Sequence, residues 1–444
     1  MTTWTNSKKS RIFSLTLALL VFMTSACVPV SFAAEGGSWF SNAVSSVKSS
    51  VQDTFSELGS SDLGTKPRVR PHFSSNTGWV SDGDLSTEAK EGAWLMRLAP
   101  GVTVALPVGD KLYNELDYTY SFVTTQGAGD SDGHSNGHNI NWISRYQATA
   151  DTAIGVGNNT QWSEEPGAFH RNFFLNTTNA DVSHKFGEKL DGRVGYVLQY
   201  YKDPTPSGVT EREQTFTNNQ ISTSLDYDVL DKLTLSPSFM WDVRNFAKVR
   251  EKDYNQYTES LATKYHLGPK TILDANIGWA FRDFDKGNNE SELIYGAGVT
   301  HTVGRKLVLG LNYQKSLQDT FNTAFVQRVD NPEAGNLDTF DGNSRVVKAH
   351  RIDSKATYYI NEKNVVSAFL GFQAAYGDAE DNVVTGEKNN EKMMETGIRY
   401  SYKICKSVSF DIGYSIGRRF SAMNSAGRSE YTFNKIDGGV NINF

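Results

Sequence analysis

Over long stretches the chain alternates apolar and polar residues with a period of two, which sends successive side chains to opposite faces of a strand. In 112–122, Leu112, Asn114, Leu116, Tyr118, Tyr120 and Phe122 share one face and Glu115, Asp117, Thr119 and Ser121 the other. In 233–244, Leu233, Leu235, Pro237, Phe239, Trp241 and Val243 oppose Thr234, Ser236, Ser238, Asp242 and Arg244. In 394–404 and 408–416, Ile398, Tyr400, Phe410 and Ile412 lie opposite Glu395, Arg399, Ser409 and Asp411. Such runs last roughly 9–12 residues, beyond the usual ~5–6 of a soluble strand. They match the about 9–11 residues that a tilted strand needs to cross a bilayer.

The strands are punctuated by related turns. "VGDKLY" carries Lys111, and "FGEKLD", "VLDKLT", "HLGPKT" and "VGRKLV" carry Lys189, Lys232, Lys270 and Lys306. "INEKNV" around Lys363 and "ICKSVS" around Lys406 are looser copies, and "ATADTAIG" around Asp151 divides the first interval. A repeat near forty residues suits a propeller blade or a helical repeat, but period-two alternation selects strands. Each repeat reads as two long strands, one short turn and one long polar connection such as "KDPTPSGVTEREQ" or "FDKGNNESE". Short turns at one end and long loops at the other is the asymmetry of an outer-membrane barrel, with the short turns periplasmic. Eight short turns join sixteen strands; "KPRVRPHFSSNTGWV" and "NKIDGGVNINF" supply a first and a last. The expected fold is all-β: one transmembrane antiparallel up-and-down barrel of 18 strands, with 16 as the alternative. Val440, Ile442 and Phe444 end the chain on an alternating, aromatic-terminated strand, the form of an outer-membrane assembly signal.

Composition agrees. Tyr (20), Phe (25) and Gly (38) are plentiful, Pro (11) is scarce and the apolar fraction is 38%. No long apolar run stands outside the N-terminus, which excludes a helical membrane protein. Residues 1–33 read as a signal peptide: Lys8, Lys9 and Arg11, then apolar Ile12 to Ala26, then Ser31-Phe32-Ala33 before the cut. Losing those three cations takes the formal charge from -6 to -9. The alternative is a lipidated Cys27 in "TSAC"; without Cys27 the chain keeps Cys405 alone and forms no internal disulfide.

Residues 34–66 read as a periplasmic amphipathic helix and hinge, ahead of a barrel over 67–444. Phe40, Val44, Val47, Val51, Phe55 and Leu58 recur at helical spacing over 38–58. Such a helix could plug the lumen, lie on the membrane or meet a periplasmic partner.

Enzyme motifs carry little. "GYSIG" at Gly413–Gly417 matches the serine-hydrolase pattern but sits inside an alternating strand, without the strand-to-helix turn that exposes a nucleophile. Asp130, Asp132, His134 and His138 in "GDSDGHSNGH" read as a solvated loop that lacks the bidentate acid of a calcium site. No catalytic, cofactor or metal site is expected. The acidic balance gives no footprint for nucleic acid.

The inward faces are the informative ones. In this register they carry Arg97, Glu115, Asp117, Arg145, Arg193, Asp226, Asp242, Arg244, Asp274, Arg282, Lys355, Glu395, Arg399, Asp411 and Asp437. An Arg or Lys facing lipid costs about 2–4 kcal/mol at the midplane, so the charges are expected to point inward. Their mixed signs predict weak ion selectivity, and bracing of the wall by ion pairs is an equally open use for them.

From about Lys66 onward, "RVRPHFSSN", then "WLMRLAPGVTVALPVGDKLYNELDYTYSF", then the Asp/His/Asn segment before "INWISRYQATADT" resemble the porin-2 type of outer-membrane β-barrel family. That family is associated with capsule and exopolysaccharide systems. The resemblance implies an outer-membrane barrel and polysaccharide handling. The expected function is a channel for hydrophilic solutes or an extracellular polysaccharide, with outer-membrane lipid and the barrel-assembly machinery as partners. A structural or adhesive barrel and an outer-membrane hydrolase are the alternatives.

Overall fold

The computed structural model describes residues 67–81, 93–126, 133–164, 173–202, 215–247, 253–285, 289–318, 347–377, 390–421 and 431–443. The signal peptide, the 38–58 helix and Phe444 lie outside the described residues. Eighteen strands form one sheet: β1 (Arg68–Val80), β2 (Ala93–Val108), β3 (Leu112–Gln126), β4 (Gly133–Gln147), β5 (Thr152–Glu164) and β6 (Phe173–Lys185). They continue as β7 (Leu190–Lys202), β8 (Phe216–Leu230), β9 (Leu233–Phe246), β10 (Tyr254–Gly268), β11 (Thr271–Phe284) and β12 (Glu290–Val303). The last are β13 (Leu307–Gln318), β14 (Val347–Tyr359), β15 (Asn364–Gly377), β16 (Asn390–Lys403), β17 (Val408–Ser421) and β18 (Tyr431–Asn443). Each pairs antiparallel with its chain neighbours, and β18 pairs with β1 from His72↔Asn443 to Val80↔Lys435. The barrel is closed at eighteen strands, so no edge is left to desolvate in lipid.

The recurring turns stitch hairpins together. The carbonyls of Lys111, Lys189, Lys232, Lys270, Lys306 and Lys363 each accept the backbone N–H of Gln147, Asp228, His266, Thr302, Tyr359 and Lys403 in turn. The lysine is thus the last turn residue, whose backbone begins the ladder to the following hairpin. Asp151 serves Lys185 in the same way, and Ser407, one place after Lys406, serves Asn443. The lysine side chains are exposed, and Lys306 Nζ donates to the carbonyl of Ile360 at 2.7 Å. Gly109 and Gly304 sit at φ of 62° and 65°, where the tight turn requires glycine.

The strands are 12–16 residues long, longer than the expected 9–12, so they stand proud of the membrane. Following paired residues once round the sheet returns to β1 displaced by about 22 residues, a shear that tilts the strands by roughly 35–45°. Exposed Leu311 (50%), Ile277 (55%) and Ile398 (52%) share one parity across all pairings. That parity is the outward face, apolar and bare, and the opposite parity is the wall of the lumen.

One segment departs from expectation. Residues 133–138 belong to β4 rather than to a loop, and His138 stacks on Trp162 at 4.6 Å on the outward face. Polar residues on both sides of "GHSNGHN" hid the alternation.

Candidate functional site

Register puts all fifteen charged positions singled out above on the inward parity. Opposite residues in an antiparallel ladder share a face, so each is fixed by its pairing. Arg97, Glu115, Asp117 and Arg145 follow from β2–β4, Arg193 and Asp226 from β7–β8, and Asp242, Arg244, Asp274 and Arg282 from β9–β11. Lys355, Glu395, Arg399, Asp411 and Asp437 follow from β14–β18.

Many of them form one belt. Glu115, Asp117, Arg145, Arg193, Asp226, Asp274, Lys355, Arg399 and Asp411 lie within about seven residues of a short turn, roughly 20 Å along a strand. The belt is paired across small residues. Arg70 Nη2 donates to Glu115 Oε2 at 3.0 Å, spanning from β1 to β3 over the threonine and alanine of β2. His72 Nε2 lies 2.8 Å from Asp117 Oδ2, and Thr103 donates to the same oxygen at 2.6 Å. The His72 ring crosses Gly101, where a Cβ would stand 2.2 Å from it. The far side of the seam repeats the device. Arg399 of β16 reaches over Gly413 of β17 to the Asp437 carboxylate of β18, with Asp411 at 3.6 Å. A Cβ at Gly413 would come within 3.1 Å of Asp437 and 3.2 Å of Arg399. Arg193 Nε faces Asp181 at 3.9 Å, and Asp274 leans over Gly298.

A second group lies nearer the long-loop end of β7–β11. Arg244 stacks over Phe216 at 4.7 Å and Tyr254 at 5.5 Å, and Arg282 over Tyr254 at 4.2 Å. Arg282 also donates twice to Gln256 Oε1, at 2.9 and 2.6 Å. Tyr201, Phe216 and Phe246 pack beside them. At the mouth, Glu292 meets Lys315 and Lys348, the latter at 3.3 Å. Arg70, His72, Asp181, Gln256 and Glu292 were not singled out in the sequence. Asp181 follows "NTTNA", polar on both faces, so no alternation marked it; Arg70 and His72 could have been found by extending the period-two pattern back through "RVRPHFS".

Among the described residues no group of three or more His, Cys, Asp or Glu is placed to hold a metal ion. Ser415 of "GYSIG" is mid-strand in β17, 4% exposed and paired with Gly397 and Lys435.

A closed antiparallel barrel of even strand number, apolar outside and charged within, defines an outer-membrane β-barrel. No family model matches the chain, and no curated protein matches it, so the resemblance stands at the level of an outer-membrane barrel. Similar solved structures include Pseudomonas aeruginosa OccK5 (OpdH), 12% identical with a TM-score of 0.49, covering 85% of this chain and 98% of that one. P. aeruginosa OpdQ is 11% identical with a TM-score of 0.48 over 85% and 99% of the two chains. The siderophore receptor PirA from Acinetobacter baumannii is 8% identical with a TM-score of 0.49 over 86% and 81%.

Proposed function

We propose that the protein is a water-filled channel that passes hydrophilic solutes, an extracellular polysaccharide among the candidates, across the outer membrane. The carrying observation is strand number together with the charged inward wall: barrels of 16–18 strands leave an aqueous lumen. The belt carries both cations and anions, several of them in ion pairs, which supports weak discrimination by charge. The long connections at one end and short turns at the other support an orientation with the lysine turns in the periplasm. Liposome swelling tests the reading. Proteoliposomes in isotonic pentose, then in progressively longer oligosaccharides, should swell quickly with the small sugar and more slowly with size. Swelling no faster than in protein-free liposomes for every sugar would refute it.

A further inference from the structure

One concavity lies on the outside of the barrel. A groove of about 570 Å³ runs over β8–β12, and Glu259 stands in it. Glu259 has outward parity, directly between Phe239 of β9 and Trp279 of β11. One outward step toward the short turns lie Pro237, Leu261 and Ile277, paired in a row. One step toward the long loops is Tyr257, stacked with Trp241. Along the barrel axis the groove therefore has Glu259 level with the rings of Phe239 and Trp279, an aliphatic floor on the short-turn side, and Tyr257 and Trp241 just beyond it on the long-loop side. Among the described residues no hydrogen bond or ion pair involves the Glu259 carboxylate. An unneutralised charge on a lipid-facing wall is costly and is retained where a partner offsets it.

We infer that the groove seats one amphiphile, with an acyl chain on the Pro237–Leu261–Ile277 floor and a primary ammonium head against Glu259. Charge complementarity selects the head: a lone carboxylate attracts an ammonium and repels a phosphate or carboxylate. The order of the lining selects the pose, with the head toward the long loops and the tail toward the short turns. Trp279 and Phe239 flank the ammonium, and aromatic faces attract such cations. The inference rests on the barrel fold alone and is independent of whether the lumen conducts.

Native mass spectrometry of the full-length barrel tests it. The protein is equilibrated with equal amounts of phosphatidylethanolamine and phosphatidylglycerol bearing the same acyl chains. Wild-type protein should retain one ethanolamine lipid with about tenfold preference. Glu259→Gln should abolish the preference and Glu259→Lys should invert it, with both variants keeping the heat-modifiable migration of a folded barrel. Leu261→Trp, which fills the floor and keeps the charge, should lower retention of both lipids. Equal retention of the two lipids by wild type, or an unchanged preference in Glu259→Gln, would overturn the inference. A dimer that Glu259→Gln disperses would also overturn it, because the occupant would then be a second copy.

Discussion

Two parts of the inward wall use arginine in opposite ways. At the seam where β18 returns to β1, Arg70 and Arg399 are 39% and 19% exposed and pair with carboxylates across intervening strands. On β9 and β11, Arg244 and Arg282 are 2% exposed, laid on aromatic rings. An ion pair as open as Arg70–Glu115 contributes about 0–1 kcal/mol, because water and salt screen it, whereas Arg399 meets the buried carboxylate of Asp437. A desolvated guanidinium on a ring contributes about 2 kcal/mol and, once buried with its hydrogen-bond partner, cannot leave cheaply. Facing the lumen is therefore not the same as facing the solute. Arg70 and Arg399 keep part of their surface open to the lumen, whereas the β9–β11 arginines are sealed into the wall.

Deleting Phe444, the residue that follows β18, has the largest expected effect. β18 is paired on both sides, to β17 and to β1, and its terminal aromatic is the expected assembly signal. The truncated protein should be secreted but lose the heat-dependent gel shift; unchanged migration would show that the last residue carries no such signal. Next, Arg282→Ala strands Gln256 and bares Tyr254. It should destabilise the barrel by roughly 2–4 kcal/mol, read as a lower midpoint of heat-modified migration, with Arg282→Lys between it and wild type. At the seam, a double-mutant cycle on Arg399→Ala and Asp437→Ala should give a coupling of about 1 kcal/mol. Arg399→Ala alone should shift the reversal potential in a salt gradient toward cations, since it removes a positive charge from the belt. If Arg282→Ala shifted the reversal potential more than Arg399→Ala, the division between the two regions would fail. The smallest effect belongs to Arg351, 2.7 Å from Asp353 with side chains 42% and 39% exposed. Arg351→Gln should move the midpoint by within about 0.5 kcal/mol.

The architecture was legible because a membrane barrel writes itself into local pattern. Period-two alternation fixed which of Leu116 and Asp117 faces lipid, and the lysine turns fixed where each hairpin folds back. The same logic fails where both faces are polar. His134 and His138 read as loop residues because Ser135, Gly137 and Asn139 offer no apolar contrast across the strand. Parity also assigns a face without naming a partner. Nothing in the local sequence around Arg399 points to Asp437, because their meeting depends on Gly413 being small on the strand between them. The burial of Arg244 and Arg282 was equally hidden: it arises from Phe216, Tyr254 and Phe246 gathered from three strands, and no single strand's pattern holds that information.

An eighteen-stranded wall with a mixed-charge belt should enclose an open aqueous path. Single-channel recording in a planar bilayer tests it most directly. Purified protein should produce discrete, ohmic steps in potassium chloride that scale with salt concentration and show a reversal potential close to zero in a salt gradient. Insertion of folded, heat-modifiable barrels that leave the bilayer current at its baseline would contradict it.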